Sequence, residues 1–162
     1  MTKGLAIGAA LFGGLLSGTT ATRALVQMPA WERLGVIPWA EYTRAEHHGV
    51  GVVFYALVGG IALLFTIATA IAFRLDRTMR RSRGLPIYAA VAISAVAGVV
   101  TRAMIVPASF QMRAVGDNAV ELQTIFQHVA PWWSVNDVLH IVAFGFNLWA
   151  LMVIVSRRDL PQ

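Results

Sequence analysis

The sequence contains no cysteine and little charge, and both shortages limit what the protein can be. Without cysteine there is no disulfide, thiolate metal site, iron–sulfur cluster, covalently attached haem or cysteine nucleophile. Charged residues make up 13% of the 162 residues, hydrophobic residues make up 57%, and the mean hydropathy is +0.66. A soluble domain of this length could not cover so much apolar surface, so the composition predicts an integral membrane protein.

Long apolar stretches predict four transmembrane helices in a single domain. We place these helices at residues 4–26, 39–73, 85–106 and 137–155. Each stretch approaches or exceeds the roughly 20 residues that cross about 30 Å of hydrocarbon, and none alternates with the period of a barrel strand. We find no convincing internal repeat. The sequence therefore predicts an all-α, four-helix transmembrane bundle.

The first apolar stretch has two readings. Its basic start at Lys3 and its small residues resemble a signal peptide. Gly4/Gly8 and Gly14/Gly18, each at four-residue spacing, instead favour a retained helix that packs closely against another helix. Because the partner could be a second copy of the chain, both a homo-oligomer and a monomer stay open.

Basic residues predict the orientation in the membrane. The net charge is +5, from 13 basic and 8 acidic residues. Lys3, the loop RLDRTMRRSRG at 74–84, and Arg157 and Arg158 all fall on one side of the predicted topology. By the positive-inside rule both termini are cytoplasmic, in an inner or plasma membrane. A short arginine-rich loop fits membrane lipid as a partner better than nucleic acid, for which no motif is present.

The connection at 107–136 is predicted to cap the outer end of the bundle. Within it, Asn118–His128 has apolar residues at the spacing of a short amphipathic helix. Gly116-Asp117 before this segment and Pro131 after it are predicted to break the chain on either side. The short helix would then lie across the bundle end.

The outer end of the predicted bundle holds every histidine of the chain: His47, His48, His128 and His140. Several charged residues lie close to them in this topology: Arg23, Glu41, Arg44, Glu46, Arg102 and Asp137. Ionisable groups at a bilayer boundary are costly unless they pair, meet water or take part in chemistry. The outer end is therefore predicted to hold the functional site.

One face of the predicted helix over 39–73 carries polar residues at helical spacing: Glu41, Arg44, His48 and Tyr55. His48 on this face is a candidate for chemistry. The structural alternative is a solvated first turn in which Arg44 pairs with Glu41. That alternative explains Tyr55 less well, because Tyr55 lies about two turns inside the boundary.

The last predicted helix carries Asn136, His140 and Asn147 on one face, at steps of four and seven. Polar side chains at this depth must face the protein interior or a wet cavity. They are therefore candidates for a site, or else hydrogen bonds that hold the helices together. Asp137 is predicted either to orient the imidazole of His140 or to cap the start of the helix.

Two arginines near outer helix ends have two readings each. Arg23 and Arg102 can snorkel to the lipid headgroups, or they can point inward, pair with an acid and bind an anionic ligand. Thr101 and Ser94 add polarity to the third helix, which favours an inward Arg102.

A metal site is a further alternative. His48, His140 and His128 could form a three-nitrogen site for Zn, Cu or Fe, and His48 with His140 could hold a b-type haem. No HxxH, HxxxH or HExxH spacing is present, and no nucleophile elbow points to a hydrolase. The cofactor is therefore left open, as none or a His-ligated metal ion.

Three segments are similar to the anthrone-oxygenase-like family of small four-helix membrane proteins. They are FGGLLSGTTATRALV at 12–26, PAWERLGVIPWAEYTR at 29–44, and Trp133-x-x-Asn136. In many members an arginine follows that asparagine by three residues, whereas here Leu139 stands at that position and His140 comes next. The resemblance implies oxidation of a polycyclic anthrone to a quinone by O₂, without an obvious cofactor.

The chemistry implied by the resemblance assigns roles to the candidates. A base would form an electron-rich anion, and cations would stabilise it in an apolar pocket that O₂ can enter. The catalytic candidates are His48, His140, Arg44, Arg102 and Tyr55. The substrate-binding candidates are Arg23, Trp132, Trp133, Asn136 and Asn147.

Three classes of function follow from the sequence. The first is a membrane oxidase or oxygenase acting on a hydrophobic planar molecule. The second is a redox protein that holds a metal or haem at the same place. The third is a non-enzymatic membrane subunit or lipid-binding scaffold, in which the polar cluster only seals the helix ends.

Overall fold

A computed structural model describes residues 1–48, 50–76, 79 and 81–156, apart from the side chains of His47 and His48. The helices, in chain order, are α1 (Thr2–Thr22), α2 (Met28–Leu34), α3 (Val36–His48), α4 (Gly51–Leu75), α5 (Leu85–Val100), α6 (Val106–Val115) and α7 (Ala119–Val155). A π-helical turn at Arg23–Gln27 joins α1 to α2, and a second at Thr101–Ile105 joins α5 to α6. The described residues contain no strand, which confirms the all-α class.

Within the described ranges, four helical stretches are long and apolar enough to cross a membrane: Thr2–Leu34, Gly51–Leu75, Leu85–Val115 and Ala119–Val155. They pack around a ring in which α1 lies between α4 and α7, and α5 lies between α7 and α4. This confirms the helical bundle. We name its two ends by what they carry: the cap end holds α2, α3, α6 and the start of α7, and the loop end holds the 3₁₀ turn Arg81–Arg83.

The segment 107–136 forms no separate amphipathic helix: its residues belong to α6, which continues α5, and to the start of α7. The predicted break at Pro131 is wrong, because Pro131 lies inside α7, which runs unbroken from Ala119 to Val155. Asn118 begins this helix by accepting hydrogen bonds from the amides of Val120 and Glu121 at 3.2 and 3.4 Å. The apolar residues before the proline continue the buried face that follows it, and this burial offsets the lost hydrogen bond.

The predicted helix over 39–73 is divided into α3 and α4. Gly51 begins α4 where a Cβ atom would lie 2.7 Å from the backbone oxygen of Glu46, so the turn needs a glycine. The division means that residues before His48 and residues after Gly51 do not share one helical face. The predicted common face of Glu41, Arg44 and Tyr55 is therefore wrong.

Each end of the bundle has its own apolar cluster. The cap cluster contains Trp31, Trp39, Ala40, Ala108, Met112, Leu122, Ile125, Val129 and Trp133. Trp39 is fully buried there and meets the rings of Phe126 and Trp133 edge-on, at 5.0 and 5.7 Å between centroids. The cluster at the loop end contains Ala6, Ala70, Phe73, Ile87, Ala150 and Ile154. The cap thus has a core of its own, which fixes the helix ends that surround the site.

Two of the glycines in α1 serve contacts within the chain. A Cβ atom on Gly8 would lie 2.6 Å from the ring of Phe65 on α4, so the predicted close approach is confirmed there. A Cβ atom on Gly14 would lie 3.2 Å from the ring of Phe144 on α7. No described atom lies within 4 Å of a Cβ on Gly4 or Gly18.

Each π-helical turn precedes a proline. Pro29 and Pro107 each follow the first residue of their turn by six positions. The amide just before each proline bonds five residues back, from Met28 to Arg23 and from Val106 to Thr101. A wider turn at this point relieves the clash between a proline ring and the carbonyl four residues before it.

Short stretches of similar sequence accompany the two turns. Thr22-Arg23-Ala24 is followed by Pro29-Ala30, and Thr101-Arg102-Ala103 is followed by Pro107-Ala108 with one residue fewer between the two motifs. Further on, Pro38-Trp39 and Pro131-Trp132 are each followed by a histidine nine residues after the proline, at His47 and His140. These short matches accompany the two π-helical turns, which lie at the cap ends of α1 and α5.

Candidate functional site

A buried ion pair joins α1 to α7 at the base of the cap. Arg23 Nη2 donates to Asp137 Oδ1, and Arg23 Nε donates to Asp137 Oδ2 at 3.3 Å, so the contact is bidentate. The Asp137 side chain is 3% exposed and the Arg23 side chain 21% exposed. Asp137 is in the middle of α7, so the alternative that it caps a helix start is wrong.

An aromatic wall lies beside this ion pair. The Arg23 guanidinium carbon is 5.9 Å from the centre of the Trp133 ring, a cation–π distance. Trp31 contacts both Trp133 and Tyr42, at 6.0 and 5.6 Å between ring centroids. Gln27 Nε2 donates to the Tyr42 hydroxyl at 3.2 Å. Burial, and then the carboxylate of Glu46, raise the pKa of Tyr42 above its ordinary value.

A second carboxylate lies across the division between α3 and α4. The Tyr55 hydroxyl donates to Glu46 Oε1 at 3.2 Å, and both side chains are half-buried. The contact ties the start of α4 to the end of α3. Tyr55 also interacts electrostatically with Arg23.

His140 lies one helical turn beyond Asp137 on the inward face of α7 and is half-buried. It too interacts electrostatically with Arg23. The structure therefore brings five ionisable side chains together below the cap: Arg23, Glu46, Tyr55, Asp137 and His140. We call this group the junction site. It draws on distant parts of the chain, since Arg23, Glu46 and Tyr55 precede α5 and Asp137 and His140 lie on α7.

The asparagines of α7 form hydrogen bonds to neighbouring helices. The Thr101 hydroxyl, at the start of the second π-helical turn, donates to Asn136 Oδ1 at 3.2 Å. The Thr66 hydroxyl of α4 lies 3.5 Å from Asn147 Oδ1, and both asparagines are buried. Asn136 therefore borders the junction site, whereas Asn147 lies about 10 Å further along α7 than His140.

Two predicted arginines do not join the junction site. Arg44 Nη1 donates to Asp117 Oδ1 at 2.7 Å, and its guanidinium also donates to the backbone oxygens of Met112 and Gly116. The predicted pair of Arg44 with Glu41 is therefore wrong, because Arg44 instead fastens α3 to the turn between α6 and α7. Arg102 is exposed and makes no ion pair with the described residues, so the predicted inward orientation is also wrong.

The predicted three-histidine metal site does not form. His128 is exposed and precedes His140 by twelve residues on the same helix, which separates them by about 18 Å. No group of three or more histidine and carboxylate side chains in the described part of the chain could hold a metal ion. The side chain of His48 lies outside the described residues, so its predicted roles stay predictions.

The tryptophans predicted to bind substrate have different positions. Trp133 is buried against Arg23, whereas Trp132 is half-buried and lies on the adjoining side of α7. Trp31, Tyr42 and Glu46 also line or border the site and were not among the predicted binding residues. Of these three, Glu46 was indicated by the clustering of charged residues at the outer end, whereas no sequence pattern indicated Trp31 or Tyr42.

Comparison with known proteins gives no match: no family model, curated protein or solved structure is significantly similar to this chain. The function is therefore argued from the geometry of the junction site.

Proposed function

We propose that the protein is a membrane-embedded oxidase or oxygenase that acts on a hydrophobic planar phenol- or anthrone-like molecule with O₂ at the junction site. The observation that carries the proposal is the buried Arg23–Asp137 pair against the Trp133 ring, with His140 one helical turn further along α7. A base, a cation and a flat apolar surface are the three elements that such chemistry requires.

The proposed reaction balances without a cofactor. His140 accepts a proton from the CH₂ carbon of an anthrone. The negative charge then lies largely on the oxygen of the carbonyl across the central ring, and Arg23 stabilises this oxyanion. The carbon loses two hydrogens and gains one oxygen atom from O₂, and the other oxygen atom leaves as water. Arg23 can serve an oxyanion and Asp137 together, because a guanidinium has five N–H donors and Asp137 takes two.

The aromatic wall supports a planar substrate. Trp133 and Trp31 are buried and held by ring contacts at 5.7 to 6.0 Å, so they form the fixed backing of the wall. The exposed ring of Tyr42, 5.6 Å from Trp31, is the face that a fused ring system can reach. We extend the proposal to the orientation: the cap end is extracytoplasmic and the arginine-rich loop end is cytoplasmic, by the positive-inside rule.

The scaffold is the second candidate, and specific contacts favour it. The bonds Thr101–Asn136 and Thr66–Asn147 each tie α7 to another helix, and Arg44 ties α3 to the turn before α7. If the polar groups serve only this purpose, conservative substitutions should change stability and no activity should exist. The metal or haem alternative depends on His48 and has no three-ligand cluster among the described residues.

Oxygen consumption with a probe substrate separates these candidates. Detergent-purified protein would be mixed with anthrone under ¹⁸O₂, and both O₂ uptake and the labelled quinone would be measured. We expect one ¹⁸O atom per quinone formed. Arg23→Gln combined with Asp137→Asn should lower turnover by about 10²-fold, since it removes the cation but leaves no buried charge unpaired.

Arg102→Gln is the matched control, because Arg102 is exposed and unpaired among the described residues. It should leave turnover unchanged. Uptake by the wild-type protein no faster than spontaneous oxidation of anthrone would reject the proposed activity. Equal turnover in the double variant and the wild type would reject the role of Arg23.

A further inference from the structure

A second surface feature lies at the loop end, far from the junction site. A groove of about 410 Å³ runs between the 3₁₀ turn, the start of α5 and the end of α7. Its lining residues are Ser82, Arg83, Leu85, Pro86, Trp149, Val153 and Ser156. None of these residues takes part in the proposed oxidation.

The mouth of the groove is polar and positively charged. Ser82, Arg83 and Ser156 are exposed there. Arg83 makes no ion pair with any residue of the described ranges. An anionic group at the mouth would therefore meet the exposed guanidinium of Arg83.

The wall of the groove is apolar and extends into the membrane-spanning region. Leu85 is 66% exposed and Trp149 is 45% exposed, with Val153 between Trp149 and the mouth. Ser156 and Trp149 are seven residues apart on α7, so the wall is about 10 Å long. Trp149 stacks on Phe146 at 5.9 Å with an interplanar angle of 25°, which holds its indole in place.

We propose that this groove binds one anionic phospholipid, with the phosphate at Arg83 and Ser82 and an acyl chain along Leu85, Val153 and Trp149. Along the helix axis the cationic mouth is followed by the apolar wall, in the same order as the headgroup and acyl chains of a lipid in its leaflet. Charge supports the anionic class, since the exposed cations of this end include Lys3, Arg74, Arg81 and Arg83. A zwitterionic lipid would bring its ammonium group toward these cations, which disfavours it.

Tryptophan fluorescence tests this inference in the full-length protein. The protein would be placed in nanodiscs of phosphatidylcholine containing a fraction of lipid brominated on its acyl chain, either phosphatidylglycerol or phosphatidylcholine. The contribution of Trp149 is the difference between the wild type and Trp149→Phe. We expect brominated phosphatidylglycerol to quench this contribution at a lower lipid fraction than brominated phosphatidylcholine.

The preference should depend on Arg83. Arg83→Gln should weaken it about fivefold, which corresponds to one arginine near an anionic surface. Arg83→Lys should retain most of it. Arg81→Gln is the matched control, because Arg81 is exposed on the same turn but does not line the groove. This control should retain more of the preference than Arg83→Gln, because it removes a surface charge but no residue of the groove.

Three results would overturn the inference. One is equal quenching by the two brominated lipids, and another is an unchanged preference in Arg83→Gln. The third is full competition by millimolar inorganic phosphate, which would make the mouth an ion site and not a lipid site. The junction site shares no residue with the groove, so none of these results bears on the proposed oxidation.

Discussion

Arg23 and Asp137 are 114 residues apart in the chain and form the buried ion pair that fixes α1 against α7. The pair also places a cation beside Trp133 and close to His140. Stability and the proposed chemistry therefore both depend on one contact, and variants can separate the two roles.

Removing one member of the pair should destabilise the protein strongly. Arg23→Met leaves Asp137 charged and unpaired in the bundle, and we expect a loss of about 3–5 kcal/mol in the free energy of unfolding. Arg23→Met with Asp137→Leu should recover most of that loss. Thermal unfolding in detergent, monitored by circular dichroism, measures the stability of the single and the double variant. If Arg23→Met were as stable as Arg102→Met, the pair would not hold the helices together.

The Tyr55–Glu46 hydrogen bond should contribute modestly, because both side chains are half-buried. Tyr55→Phe removes the donor and keeps the ring, so we expect a loss of about 1 kcal/mol. Glu46→Gln keeps an acceptor oxygen and should cost less. A double-mutant cycle on the same unfolding transition measures the coupling, and a coupling of zero would contradict the contact.

Substitution of Arg44 should lower the free energy of unfolding more than substitution of its carboxylate partner, Asp117. Asp117 is 66% exposed, so Asp117→Asn should change the free energy of unfolding by at most about 1 kcal/mol. Arg44→Met also removes the donor to the backbone oxygens of Met112 and Gly116, and it should cost more. Urea unfolding of the two variants side by side gives the comparison. Equal losses in the free energy of unfolding for the two variants would mean that the contacts of Arg44 with the backbone do not stabilise the protein.

Glycine substitutions in α1 should have opposite effects at two positions. Gly8→Ala places a Cβ against the Phe65 ring and should destabilise the protein by about 1–3 kcal/mol. Gly18→Ala meets no described atom within 4 Å and should be neutral or slightly stabilising, because alanine favours a helix. A destabilised Gly18→Ala variant, together with loss of a dimer in size-exclusion chromatography, would instead assign Gly18 to contact between copies of the chain.

The membrane-spanning pattern could be predicted from composition, because about 20 apolar residues suffice to define a span. The residues at which the helices begin and end could not be predicted in this way. Proline usually ends a helix, yet the buried face of α7 continues past Pro131, from Val129 to Trp133. The division between α3 and α4 depends on a close contact of Gly51 with the backbone of Glu46, which no periodicity reveals.

The side chains of the candidate site, too, could be predicted only in part. His140 and Asn136 were predicted from their shared face on one helix, which is a local pattern. Arg23 and Arg102 have the same local sequence, Thr-Arg-Ala, but one is paired and the other exposed. Their difference arises from the π-helical turns: Arg23 is the first residue of its turn, whereas Thr101 takes that place in the other. Sequence spacing without the turn could not distinguish the two arginines.

The most direct test compares two histidines on α7 in the oxygen-uptake assay with anthrone. His140 lies at the junction site, and His128 is exposed about 18 Å away along the same helix. We predict that His140→Ala lowers kcat by about 10²-fold or more, as loss of a general base does, and that His128→Ala leaves it unchanged. Equal turnover in His140→Ala and His128→Ala would contradict the assignment of the junction site as the centre of the chemistry.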